Sequence, residues 1–253
     1  MTFDEVADLY ETARRPYPDE VVDDLVALAG LQAGSAVVEI GCGTGQATVA
    51  LAARGLRITC VELGGRLAAI ARRKLAGFPE IDVVVADFEL WAPPRLDYDA
   101  VVSFNAFHWL DPARRYELTA RLLRPGGSLA FVEPSHVVPP GSDPIFLEMQ
   151  EDYRAVGMRG DDGPPRPEQV PDFRDQIEAS GFFEDVVVHR HLFTRTYTAD
   201  EYLALMETAS DHRLRPDDVR EELARRKRRR IEARPGATVE MTFLAVLHAA
   251  RRR

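Results

Sequence analysis

Cysteine is nearly missing from this chain: Cys42 and Cys60 are the only two among 253 residues. They fall at the ends of neighbouring predicted strands, which favours buried free thiols over a disulfide or a metal pair. Long hydrophobic runs are missing too. No stretch approaches the roughly 20 apolar residues that span a bilayer, and Met1-Thr2-Phe3-Asp4-Glu5 lacks the basic start and apolar core of a secretion signal. A soluble, cytoplasmic protein is expected. The chain shows no internal repeat and no visible metal site. Its apolar content of 45% supports an ordinary globular core, and the length is compatible with one large α/β domain or two small ones.

A uniform charge is also lacking. The formal net charge is −9, yet residues 220–253 carry 11 basic and 4 acidic side chains, so the remainder is strongly acidic. The acidic body disfavours general nucleic-acid binding. The run Arg225-Arg226-Lys227-Arg228-Arg229-Arg230 has no interleaved aromatics, and Glu221 and Glu222 precede it at helical distance, as on a solvated helix face. A local contact with RNA or an anionic substrate is the competing reading.

What the chain has is Ala36-Val37-Val38-Glu39-Ile40 followed by Gly41-Cys42-Gly43-Thr44-Gly45 and then Gln46-Ala47-Thr48. An unbroken, largely β-branched run suits a buried parallel strand, and glycines directly after it let the backbone turn sharply and approach a ligand. The spacing is Gly-x-Gly-x-Gly. A dinucleotide fingerprint has its third glycine one position later, where this chain has Gln46.

This loop, with Glu39 two residues before its first glycine, resembles the first motif of the class I S-adenosylmethionine-dependent methyltransferases. Four more segments match in family order. Leu56 to Glu62 is similar to the second strand, whose terminal acid in the family accepts both ribose hydroxyls; Val83 to Phe88 is similar to the third, whose acid, here Asp87, sits by the adenine amino group. Tyr98 to Asn105 is similar to the fourth strand, and Leu122 to Phe131 to a helix end, Pro-Gly-Gly turn and fifth strand. The resemblance covers roughly residues 35 to 133. It implies S-adenosylmethionine as cofactor, S-adenosylhomocysteine as product, and contacts from Glu39, Gly41, Gly43, Thr44, Gly45, Gln46, Glu62, Leu63, Asp87, Phe88 and Asn105. A Tyr-x₃-Arg-x₃-Pro segment similar to Tyr10, Arg14 and Pro18 folds over the cofactor in small-molecule members. That likeness implies that Tyr10 and Arg14 close the methionine end; a core tyrosine and a surface arginine are the plain alternative.

The expected fold class is α/β: a doubly wound, seven-stranded, mostly parallel sheet plus helical lid elements, with a last strand that the resemblance implies is antiparallel. A single domain over 1–253 divides into an N-terminal helical cover (1–33), a cofactor-binding half (34–133), an insertion or lid (134–180) and a C-terminal half (181–253). Helices are expected from about Asp19 with Gly30 as stop, after Gly45, and from Arg66 to Leu75 with its cations near the C-terminal end. Residues 134–171 are rich in proline, glycine and acid, with one amphipathic stretch containing Ile145, Phe146, Leu147 and Met149 and a flexible stretch from Gly157 to Pro167. Helix Asp172 to Ser180, strand Val186 to Val188, helices Ala199 to Ser210 and Pro216 to Ala233, and strand Val239 to Ala249 complete the pattern.

Methyl transfer is an in-line displacement, so positioning and water exclusion supply much of the catalysis. An alcohol or phenol must lose a proton, whereas a carboxylate, thiolate or acidic carbon need not. His108, in Asn105-Ala106-Phe107-His108-Trp109-Leu110-Asp111 after the fourth strand, is the candidate base. In the competing reading His108 and Trp109 are structural or shape the cofactor pocket. The Phe-His-Trp-Leu segment resembles trans-aconitate methyltransferase-like enzymes. Ser103-Phe104-Asn105-Ala106 does not match the Asn/Asp-Pro-Pro-aromatic motif of enzymes that methylate DNA-base or glutamine amino groups. His189 and His191 flank a strand, His248 lies near the end of another, and these three with His212 are read as surface or satisfied core groups; His136 keeps a candidate substrate contact. The expected function is methyl transfer to a small organic molecule, with oxygen favoured. A non-methylating cofactor-binding protein of the same fold is the alternative, and a nicotinamide dehydrogenase is disfavoured by the glycine spacing and Asp87.

Overall fold

The computed structural model describes residues 3–158 and 163–253. Met1, Thr2 and residues 159–162 of the Gly157-to-Pro167 stretch lie outside the described residues. In chain order the elements are α1 (Ala7–Ala13), α2 (Asp19–Leu28), β1 (Ala36–Ile40), α3 (Gln46–Ala53), β2 (Arg57–Glu62), α4 (Gly65–Lys74), β3 (Ile81–Val85) and β4 (Tyr98–Phe104). There follow α5 (Arg115–Leu122), β5 (Leu123–Val137), α6 (Ile145–Ala155), α7 (Arg174–Ala179), β6 (Phe183–Thr198), α8 (Ala199–Glu207), α9 (Ser210–Arg213), α10 (Asp217–Glu232) and β7 (Thr238–Arg252).

The seven strands form one mixed sheet in the order β3-β2-β1-β4-β5-β7-β6, mostly parallel with antiparallel last strands. β1 is buried along its whole length, as its unbroken apolar run requires. It pairs in parallel with β2, Glu39 facing Cys60, and with β4, Ile40 facing Ser103. Strand order reverses between β1 and β4. Ligands in doubly wound sheets bind beyond the strand ends at such a reversal.

The chain groups into two compact units. One comprises residues 15–134, 172–191 and 245–253. Its core joins Val38, Ile40 and Val101 of the central strands to Phe107, Tyr116, Phe131 and Phe183. Phe107 and Phe131 stack with centroids 4.2 Å apart, and Val21, Val22 and Leu25 give α2 its buried face.

The other unit comprises residues 1–14, 135–171 and 192–244. Ile145, Phe146 and Met149 of α6 pack there with Tyr202, Leu205, Ile231 and Met241. The basic run on α10 is largely absorbed by partners in this unit. Arg226 pairs with Glu222 at 2.7 Å, Arg228 with Asp200 at 2.5 Å, and Arg230 with Asp152 at 2.6 Å. Lys227 is buried, donating from Nζ to the Tyr153 hydroxyl at 2.7 Å above that ring.

Three segments differ from the sequence pattern. β6 runs for 16 residues rather than the Val186–Val188 core, because at the end of the sheet it alternates polar and half-buried positions that no apolar run marks. β3 starts and ends earlier, leaving Asp87 in the turn after it. β5 begins at Leu123 and carries the Pro-Gly-Gly segment as a bulge, its register on β4 jumping from Tyr98/Leu123 to Ala100/Ser128.

Candidate active site

The ends of β1, β2 and β4 converge around the glycine loop. Gly41, Gly43 and Gly45 have φ of +65°, +58° and +80°. At Gly41 a Cβ would lie 2.5 Å from the Ala106 Cβ, so the turn after β1 and the turn after β4 touch without room for a methyl group. Gly41 N–H donates to Val61 O at 2.8 Å, and Gly45 caps α3, which begins at Gln46.

Glu62 ties this loop to β2. One carboxylate oxygen accepts the Gly43 N–H and the other the Gly64 N–H, each at 2.8 Å. Leu63 beside it is an exposed apolar side chain at 67%. Asp87 is exposed and accepts the Glu89 N–H at 2.9 Å, while Phe88 is buried. Asn105 holds a left-handed φ of +62°, a conformation that side chains rarely adopt, and donates from its N–H to Val132 O at 2.8 Å.

Glu39 lies beneath the loop, 1% exposed, with the Cys60 thiol donating to Oε2 at 3.8 Å. Burial pushes its carboxyl up to about 7, and the neighbouring Glu62 charge adds to the rise. Cys42 and Cys60 are both free and buried. Contact with Cys60 and burial push the Cys42 thiol well up, which removes it as a nucleophile.

Beyond β4, His108 Nδ1 lies 2.8 Å from Glu133 Oε2, and the His108 N–H donates to Oε1 at 3.3 Å. Both carboxylate oxygens thus hold one residue. In the neutral tautomer whose Nδ1–H donates to Glu133, Nε2 is left as an acceptor. The histidine side chain is 36% exposed, and its ring stands 4.8 Å from that of Trp109, itself 60% exposed. The indole is therefore outside the core.

A family model described as a methyltransferase domain matches residues 37–127. The chain is 33% identical over 132 residues to an uncharacterized methyltransferase of Mycobacterium tuberculosis, covering 52% of this chain and 51% of that protein. It is 30% identical over 163 residues to an uncharacterized methyltransferase of a Geobacillus species, covering 61% of this chain and 71% of that one. The chain belongs to the class I S-adenosylmethionine-dependent methyltransferase family. It spans about half the length of the mycobacterial methyltransferases it matches. A trans-aconitate 2-methyltransferase of an Azoarcus species is 34% identical over 122 residues, covering 45% of this chain and 47% of that methyltransferase. In fold, a proposed type II methyltransferase of Anaeromyxobacter dehalogenans has a TM-score of 0.63 at 21% identity, covering 94% and 97% of the two chains.

The methyltransferase cofactor fits the residues present. Thr44, in the glycine loop, has a buried hydroxyl without a hydrogen-bond partner. Such an orphan in a glycine cradle is what a polar ligand would satisfy. Tyr10 and Arg14 belong to the other unit. There Arg14 donates from Nε to the Thr208 hydroxyl at 2.9 Å and lies over the Tyr10 ring at 5.2 Å. His136 is packed against Phe146 at 4.3 Å, burial pulling its pKa down to about 4. His248 stacks on Phe131 and accepts the Phe173 N–H at 3.0 Å, which places it in the core.

Sequence reasoning missed Glu133. It is the last residue of the expected cofactor-binding half and has no role there, and only the parallel pairing of β4 and β5, with Phe104 facing Val132, brings it to His108. An acid two residues beyond Phe131, where the apolar run of the fifth strand closes, is the available signal.

Proposed function

We propose that this chain transfers the methyl group of S-adenosylmethionine to an oxygen of a small organic molecule. The cofactor, when bound, supplies a methyl group on a sulfonium, ready for displacement by a nucleophile. The glycine loop, Glu62, Leu63 and Asp87 would hold it. The chain's own chemical contribution centres on His108 and Glu133, and this pair is the observation that carries the reading. Glu133 fixes the imidazole orientation and tautomer, so Nε2 accepts the proton that an alcohol or phenol gives up as its oxygen attacks. A carboxylate acceptor would need no such base, and the likeness to a trans-aconitate 2-methyltransferase keeps small acids in the substrate panel.

Transfer of a labelled methyl group to panels of hydroxylated aromatics, hydroxy acids and carboxylic acids, with amines and thiols alongside, tests this. An O-methylated product is the expected result. Label found only on nitrogen or sulfur would overturn the oxygen assignment, and cofactor binding without product in any panel would favour the non-methylating reading.

Glu62→Ala removes the acceptor for two loop N–H groups and the candidate ribose contact. A hydrogen bond to a charged group contributes roughly 1.5–3 kcal/mol, so cofactor affinity is expected to fall by one to two decades. Calorimetric titration reads this directly; unchanged affinity would remove Glu62 from the site.

A further inference from the structure

Two histidines that neither the loop nor the dyad uses converge on one acid. His189 and His191 are two residues apart on β6, and this period puts both side chains on one face of the strand. Asp24 reaches them from α2. His189 Nδ1 and His191 Nε2 each lie 2.7 Å from the same oxygen, Asp24 Oδ2. All three residues belong to the same unit. Among the described residues this is the one trio of histidine, cysteine and acid whose candidate ligand atoms all fall within 4.8 Å of one another.

We propose that Asp24, His189 and His191 form a binding site for a divalent transition-metal ion of zinc-like chemistry. The donor set decides the class. Two imidazoles and one carboxylate suit zinc and its neighbours, whereas calcium and magnesium take oxygen ligands. At metal–ligand distances of about 2.1 Å, tetrahedral ligands stand about 3.4 Å apart. Each imidazole nitrogen therefore needs to move about 0.7 Å away from Oδ2, from 2.7 Å to about 3.4 Å, to admit an ion. All three side chains are partly exposed, which gives the ion a way in and leaves a water for the fourth position.

Arg54 pairs with Asp23 at 2.6 Å, and Arg190, between the two histidines in sequence, lies 4.0 Å from Asp172. The Asp24 carboxylate supplies the negative charge, and the imidazoles the nitrogen lone pairs, that a dication takes. A bound ion would pin β6, the strand at the end of the sheet, to α2.

The test is a zinc titration of the metal-stripped, untagged full-length protein against a chromophoric chelator. It is run for the wild type, for His189→Gln/His191→Gln and for Asp24→Asn, with histidine side-chain NMR on the wild type. One equivalent is expected to bind, shifting the His189 and His191 resonances, with magnesium failing to compete. Each variant is expected to lose at least about ten-fold in zinc affinity, the loss seen even for groups that merely hydrogen-bond to a metal ligand. No zinc binding by the wild type, or binding that leaves the His189 and His191 resonances unmoved, would overturn the proposal. The wild-type spectrum decides the matter even if a variant fails to fold.

Discussion

His108→Ala is expected to lower kcat by about two to four decades while leaving S-adenosylhomocysteine affinity unchanged, the range for losing a positioned acid–base group. The pair geometry adds a second expectation. Glu133→Gln keeps a hydrogen-bonding partner at Nδ1 but no longer fixes its proton there, so kcat is expected to fall as well, by up to the factor seen with His108→Ala. Steady-state kinetics beside cofactor titration separates the roles. A joint loss of affinity and turnover in His108→Ala would make the histidine a structural part of the pocket, and full turnover would remove it from catalysis.

Glu39→Gln is expected to stabilise the protein at alkaline pH by up to about 3 kcal/mol, since each pKa unit corresponds to 1.36 kcal/mol and burial lifts this carboxyl from 4.5 to about 7. The sign follows from proton counts. Between pH 4.5 and about 7 the unfolded chain has released the Glu39 proton and the folded chain retains it, so wild-type stability falls as pH rises through this window. Below 4.5 both states are protonated and the variant gains nothing. Urea midpoints measured from pH 4 to 8 give the difference. Parallel curves for wild type and variant would mean that Glu39 is already ionised beneath the loop.

The parts of this fold that are legible in the sequence are those set by short-range pattern. The β-branched run of β1 needs burial on both faces, and it is buried throughout. The three glycines after it make the sharp turn expected of them, each at positive φ. Val21, Val22 and Leu25 place the buried face of α2, and Gly30, with φ of +66°, ends it.

What stays illegible depends on pairings between distant segments. The extent of β6 comes from its place at the end of the sheet, since its own residues alternate too weakly to mark a strand. Glu133 meets His108 through β4–β5 register, and Asp24 meets His189 and His191 across 165 and 167 residues. The basic run of α10 reads as a solvated face, yet Lys227 is buried and Arg230 pairs with Asp152 on α6. Each case needs the position of a second element, which composition and periodicity do not supply.

The central claim is that the glycine loop and Glu62 hold S-adenosylmethionine. Isothermal titration of the wild-type protein with S-adenosylhomocysteine, with NADH as control, tests it most directly. Micromolar, one-to-one binding of S-adenosylhomocysteine alone is the expected result. Binding of NADH in its place, or of neither ligand by folded protein, would contradict the claim.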